Sequence, residues 1–468
     1  MGAPNLLLIL TDQQRADALG ALSPWMKTPA LDRLAREGVV FRRCVTQSPG
    51  CIPSRVSLMT GLYPHNTGVW QGWGFTLPPG ARTWVRTIRE AGYRTSMIGK
   101  THLHPQEGDL RDRCSLVQSW GFDRVVETAG PRASARSRSD MTDEWQRLGL
   151  WDSFVADLEE RTGENRDLIR PSPLGLDHHY DSFVGRRAVE EIRAYATDRP
   201  WFCWVGFGGP HEPWDAPEPY LSLYSPRDLP EPLPPVESIS PSRPVGVLLD
   251  ERVTGDSRRI ERLGAEQLTA IRANYAGKVS LIDRWVGEIL AAIEERGELD
   301  RTMVVFTSDH GEMNGDHGLF HKSCFLQAAV TVPLVIRPPA PWDAPRVVDD
   351  PVELIDVGPT LAEAAGARVE HAQWGRSLVP SLKGGSAPVR DFAVSEQRGE
   401  IMVMGTRWKV AFNQSREAYL CTDLDRDPDE LRNLAGTPDA REVERQQRDL
   451  LLEFLLVTQP FEDWRSAG

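Results

Sequence analysis

Apolar residues come in short unbroken runs through the first half of the chain, separated by stretches where they recur every three or four positions. Asn5–Thr11 is such a run, with nothing polar between Leu6 and Leu10. Unbroken apolarity over a strand's length marks a strand covered on both faces, as in a parallel sheet. A helix is predicted from Thr28-Pro29: proline suits the first turn, Leu31, Leu34 and Ala35 share a face, and Gly38 stops it. Val39–Phe41 resumes strand character. Thr83–Ala91 reads as a helix closed by Gly92, and a strand follows through Tyr93–Ile98. Trp201–Phe207 and Thr302–Thr307 are further apolar runs of strand length. The alternation predicts an α/β sandwich with a large mixed, mostly parallel sheet flanked by helices.

The pattern changes in three places. Between Pro105 and His179 charged and polar residues dominate, and Ser225–Arg243 is proline-rich. Irregular insertions of this length often serve as lids or substrate loops. After Pro351 a helix through Leu361–Ala365 ends at Gly366. Short strands follow at Phe392–Ser395, Ile401–Met404, Trp408–Phe412 and Tyr419–Thr422, then a final helix over Val443–Leu456. The expectation is a large unit over residues 1–380 and a small antiparallel-sheet subdomain with one helix over 381–468.

Composition is that of a globular protein, with 40% hydrophobic and 26% charged residues. A net charge of -13 argues against nucleic acid as a partner. No run is long enough to span a bilayer, and Met1–Leu10 lacks the basic start and cleavage site of a leader. The six cysteines show neither metal-type nor disulfide-framework spacing. A cytoplasmic location and no membrane partner are expected; assembly into a homo-oligomer is left open.

Two strands end alike: Leu6–Leu10 runs into Thr11-Asp12-Gln13-Gln14, and Val304–Phe306 into Thr307-Ser308-Asp309-His310-Gly311. Ligands bind at the carboxyl ends of strands in open α/β sheets, so Asp12, Gln13, Asp309 and His310 are expected in one crevice. Carboxylates with an amide oxygen suit a hard divalent cation, and an imidazole tilts the choice toward a transition metal.

Between these strand ends lies Cys51-Ile52-Pro53-Ser54-Arg55, continued by Val56-Ser57-Leu58-Met59-Thr60-Gly61. Pro53 suits the first turn of a helix, which puts Cys51 at a helix N-terminus, where unpaired N–H groups and the dipole favour a nucleophile or an anion. Arg55 lies one turn on and can reach back as a fixed cation. The string resembles the signature of the sulfatase family, whose cysteine is oxidised to formylglycine. Gly99-Lys100-Thr101-His102, Gly209-Pro210-His211, Ser308–Glu312, Asp316-His317-Gly318 with Lys322, and Leu424–Glu430 with Asn433-Leu434-Ala435 follow in family order.

The resemblance implies an alkaline-phosphatase-superfamily fold, with residues 1–380 as the catalytic domain. It implies hydrolysis of a small-molecule sulfate monoester to an alcohol and inorganic sulfate, and a formylglycine-generating enzyme as the maturation partner. Formylglycine from Cys51 would be hydrated, and one hydroxyl would attack sulfur beside one divalent metal held by Asp12, Gln13, Cys51, Asp309 and His310. Calcium is the ion expected, with manganese and zinc as the other candidates. Arg55, Lys100 and Lys322 would neutralise the sulfate, His211 would protonate the leaving oxygen, and His102 would take the proton from the second hydroxyl of the diol. His104, His317 and His321 are expected in structural or outer roles, His178-His179 at the surface. Asn66, Thr67, Trp70, Trp73 and Trp214 are candidates for the pocket wall, the tryptophans equally for the core.

Many arylsulfatases carry a second Asp where this chain has Gln13, and an Asn where it has His310. The Gln/His pair is similar to alkyl- or choline-type sulfatases and to phosphonate monoester and phosphodiester hydrolases of the superfamily, the enzyme alternative. A metal- and anion-binding protein whose Cys51 stays a thiol is the non-enzymatic one.

Overall fold

The computed structural model describes residues 2–70, 74–161, 168–235, 263–342, 347–385 and 387–459. Its main sheet has eight strands: β1 (Asn5–Asp12), β2 (Val39–Phe41), β3 (Arg94–Gly99), β4 (Arg124–Glu127), β5 (Trp201–Pro210), β6 (Thr302–Ser308), β7 (Leu334–Arg337) and β8 (Val347–Val348). Their spatial order is β8-β2-β7-β6-β1-β5-β3-β4. Strand β1 pairs in parallel with β5 and β6, and β3 does so with β4 and β5. Strand β7 runs antiparallel to β6 and β2. The expectation of a mixed, mostly parallel sheet therefore holds.

Strand β1 shows why its sequence is apolar without a break. Leu6, Leu8 and Leu10 enter the core on one face, Leu7 and Ile9 the core on the other, and all five are fully buried. One face is covered by α2 (Cys51–Thr60), α3 (Trp84–Glu90) and α6 (Val357–Ala364). The other is covered by α1 (Pro29–Glu37), α4 (Tyr180–Ala194) and α5 (Ala265–Glu295). Helix α1 buries Leu31, Leu34 and Ala35, the face read from the sequence.

The C-terminal expectation also holds, as a four-stranded antiparallel sheet of β9 (Ala393–Gln397), β10 (Glu400–Met404), β11 (Trp408–Phe412) and β12 (Ala418–Asp423), with α7 (Arg441–Val457). The Asp427–Ala435 signature is its clasp. Asp427 accepts from Leu431 N and Arg432 N, Asn433 bridges Tyr419 and Cys421, and Glu430 pairs with buried Lys409. Between Pro105 and His179 the chain is more ordered than its composition suggests, since β4 adds an edge strand to the main sheet there. Of the proline-rich Ser225–Arg243, the part beyond residue 235 lies outside the described residues. No helix among the described residues is long and apolar enough to cross a membrane.

Helix α1 is capped from outside. Its own Thr28 makes no side-chain cap, and buried Asp283 of α5 accepts from Ala30 N (3.2 Å) and Leu31 N (2.8 Å). Burial raises the Asp283 pKa to about 7. An unfolded aspartate titrates near 3.9, so this group's stabilisation is complete below that value and is lost as pH rises through about 7. Relative to Asp283→Asn, the wild-type chain is expected to lose stability between about pH 5 and 8. Urea denaturation of both at the two pH values checks this, and a constant difference would contradict it.

Candidate active site

The carboxyl ends of β1 and β6 meet α2 at one point. Asp12, Asp309 and His310 are fully buried, and Cys51, the first residue of α2, is half-buried. One donor atom from each of the four lies within 4.8 Å of the others. Cys51 Sγ is 3.1 Å from His310 Nε2 and 4.0 Å from Asp12 Oδ1. His310 Nδ1 donates to the Gly311 carbonyl at 2.9 Å, which turns Nε2 toward Cys51 and Asp309, and those two groups raise its pKa against burial. Burial and the Asp12 carboxylate push the Cys51 thiol up, but Lys322 and His310 outweigh them and hold it below the ordinary value.

Arg55 ties the ligand strands together. Its Nε donates to Asp309 Oδ2 at 2.7 Å and its Nη2 to Asp12 Oδ2 at 3.0 Å, with no solvent exposure of any partner. Nη1 reaches the carbonyls of Lys100 and Thr101 at 3.2 and 3.4 Å. Lys100 Nζ donates to the same Asp12 oxygen that Arg55 holds. Burial alone would raise the Asp12 carboxyl, yet Lys100 and Arg55 keep it well below the ordinary carboxylate range.

Lys100 reaches Asp12 because two glycines leave room. Gly99 has φ of 100°, and Lys100 N donates to Gly206 O at 2.8 Å. A Cβ on Gly206 would lie 2.4 Å from the Lys100 carbonyl oxygen, a contact no side chain can make.

Gln13 is held in the left-handed region (φ 71°) with its backbone N on Asp309 Oδ1 at 3.0 Å. Its amide nitrogen donates to Glu212 and Glu312. Carboxylates only accept, so the carbonyl end must point the other way, where Oε1 accepts from Lys322 Nζ. Glu212 and Glu312 were not singled out from the sequence, although each closely follows a strand end beside His211 or His310.

His102 has φ of 60° and a buried Nδ1 without a hydrogen-bond partner. Burial, Lys100 and Arg55 lower its pKa well below the usual histidine value. His211 follows β5 and is tied to β1 by its backbone N on Asp12 O (3.1 Å). Its Nδ1 lies 2.8 Å from Glu212 O and 2.9 Å from Glu212 Oε2. Burial lowers its pKa against the opposing Glu212 carboxylate. Fully buried Lys278 of α5 fastens this turn, donating to the carbonyls of His211 and Pro213 and to the Tyr180 hydroxyl.

Cys51, His102 and Lys322 line a cavity of about 640 Å³, with Trp70, His104, Gln106, Glu107, Arg136, Gln397 and Arg398 among the other lining groups. His104 is a buried strut, 2.8 Å from Glu127 Oε2. One expectation is corrected and two open ones are decided. His179 is not at the surface: it is fully buried, 3.8 Å from both Asp181 and Asp215, because that polar cluster lies beneath the His211 turn. Asn66 and Thr67 do not line the cavity: Asn66 is spent on Tyr63 N and Thr458 O, and Thr67 on Pro64 O. Trp214 is a core residue packed against Tyr275. Trp73 lies outside the described residues.

A family model for sulfatases matches residues 4–367, and one for the C-terminal part of N-sulphoglucosamine sulphohydrolase matches residues 315–455. An arylsulfatase of Clostridium perfringens is 29% identical over 97% of this chain and 94% of its own. A multifunctional alkaline phosphatase superfamily protein, PehA of Trinickia caryophylli, is 29% identical over 94% and 92%. Among solved structures, a phosphonate monoester hydrolase of Agrobacterium radiobacter superposes with a TM-score of 0.77 at 26% identity, over 97% of this chain and 96% of the other.

Proposed function

The chain belongs to the sulfatase family and is a sulfuric ester hydrolase; on that premise we propose that it splits a sulfate monoester with formylglycine made from Cys51 as the nucleophile. The observation that carries this reading is the position of Cys51, first in its helix, facing His310 and Asp12 in the mouth of the cavity. Two buried carboxylates and an imidazole gathered around residue 51 fit one divalent cation, which Asp12, Asp309 and His310 would hold, with Gln13 joining through the amide oxygen that accepts from Lys322. Such an ion supplies Lewis acidity toward the sulfuryl oxygens and lowers the pKa of the attacking hydroxyl. Calcium is the ion expected, with manganese and zinc as the alternatives.

The protein's own groups do the rest. Lys100 and Lys322 neutralise the sulfate and the charge that develops on transfer, whereas Arg55, fully buried and spent on Asp309, Asp12 and two carbonyls, acts through the carboxylates it holds in place. His211 in its doubly protonated form gives the Nε2 proton to the leaving oxygen while Nδ1 stays on the Glu212 carbonyl, and the neutral ring that burial favours is what remains. His102, neutral because its charged form is disfavoured, takes a proton at Nδ1 from the second hydroxyl of residue 51 and thereby drives sulfate out. The division at residues 380/381 would then separate the catalytic domain from the small subdomain.

Chain made together with a formylglycine-generating enzyme is expected to show the aldehyde mass in the Cys51 peptide. The same sample should release sulfate from para-nitrophenyl sulfate, and chelation should cut turnover by about 100-fold or more until a divalent cation is restored. A thiol at position 51 in an active preparation would refute the nucleophile. The second reading, a phosphonate monoester or phosphodiester hydrolase, is favoured by the Gln13/His310 pair and by the likeness to the phosphonate hydrolase. Faster turnover of a phenyl phosphonate ester than of the matched sulfate would establish it instead.

A further inference from the structure

The cavity beyond the sulfate pocket is built to receive something negative. Gln106 is 8% exposed, and its Oε1 accepts from Gly130 N at 3.0 Å. That bond fixes which end of the amide is which, so the NH2 group is the free end, and it has no partner. A Cβ on Gly130 would lie 3.1 Å from Lys100 Nζ and 3.4 Å from Gln106 Oε1. The amide therefore sits on the same glycine as the lysine expected to hold the sulfate. A buried donor without an acceptor is costly, and a bound oxygen removes that cost.

Arg136 adds a full charge. It ends the short turn Ala133–Arg136 on the wall of this cavity and makes no hydrogen bond or ion pair among the described residues. Its neighbours differ: Arg132 pairs with Glu212 at 2.8 Å and Arg138 with Asp143 at 3.1 Å. The charged lining groups are Lys322, Arg136 and Arg398 against the single carboxylate of Glu107.

Resting on the sulfatase reading, we propose that the leaving alcohol carries a second anionic group, a carboxylate or another sulfate, that pairs with Arg136 while a neighbouring oxygen accepts from Gln106 Nε2. Arg136 is then a specificity-determining residue. A leaving group bearing a quaternary ammonium would meet cations in this cavity, which makes a choline ester a poor substrate.

The test is a matched pair of esters, meta-carboxyphenyl sulfate and meta-carbamoylphenyl sulfate, which differ in charge and little in shape. The wild-type enzyme is expected to favour the carboxylate by about fivefold in kcat/KM, mostly through KM, the upper size of one ion pair at an exposed arginine. Arg136→Gln should bring that ratio close to one. A ratio unchanged by the substitution, or a wild-type preference for the carbamoyl ester, would overturn the proposal. Calorimetry with meta-hydroxybenzoate separates the two readings. If neither ester is turned over, the sulfate-ester reading fails, yet tighter binding of that product analogue to wild type than to Arg136→Gln still upholds the anionic subsite. Equal or absent binding overturns it.

Discussion

Cys51→Ala, made with the maturation enzyme present, is expected to lower kcat on an aryl sulfate by at least about 10,000-fold, the scale seen when a covalent nucleophile is removed. The substitution should cost little stability, since Cys51 is half-buried and contributes one sulfur contact to His310. Its measurement is turnover beside an unfolding curve. A variant that keeps a tenth of the activity would show that some other group attacks sulfur. The nucleophile would then be an activated water, and the Cys51 contact to His310 incidental.

The second large effect is on the fold. Arg55→Met removes the one cation that bridges Asp12 and Asp309, and both carboxylates are fully buried. Stripping one partner from a buried ion pair typically costs about 3–5 kcal/mol, because the other charge stays behind uncompensated. Lys100 still contacts Asp12, so the larger loss falls on Asp309, which keeps the backbone N–H groups of Gln13 and His310 and the His310 ring at 3.7 Å. Urea denaturation should show a midpoint shift of that size, and a divalent cation in the buffer should recover part of it by binding the freed carboxylates. A shift under about 1 kcal/mol would mean the pair is not buried as described. Arg55→Lys should fall between, because an ammonium cannot span two carboxylates and two carbonyls at once.

How far the sequence could be read depended on how cleanly each element separates its surfaces. Strand β1 and helix α1 were legible because the buried centre of each is apolar, Leu6–Leu10 in the strand and Leu31, Leu34 and Ala35 in the helix. The 31-residue helix α5 escaped the same reading although it is the longest element. Its buried face carries Arg272, Asn274, Lys278, Ser280 and Asp283, each hydrogen-bonded to a distant partner, so the periodicity is broken by side chains that tie the helix to other elements. Strand β7 is a four-residue run between prolines, too short to assert itself. At the site, motif positions pointed to Cys51, Arg55, Lys100 and the two strand ends. The clamp on Gln13 by Glu212 and Glu312 was invisible, because it depends on two loops 100 residues apart arriving on the same amide. The burial of His179 was hidden for the same reason: its partner Asp215 comes from beyond β5.

Gly206 has no reactive atom, so a survey of titratable groups would pass over it. Its contribution is an unfilled volume, the one through which the Lys100 backbone passes on its way to Asp12. A relative that kept every acid, base and cation of this site but gained a methyl group at that position would look competent residue by residue and still be unable to assemble its anion pocket. Inventories of side chains are therefore an incomplete test of whether a member of this lineage is a working enzyme; the shape of the empty space beside them has to be inherited too.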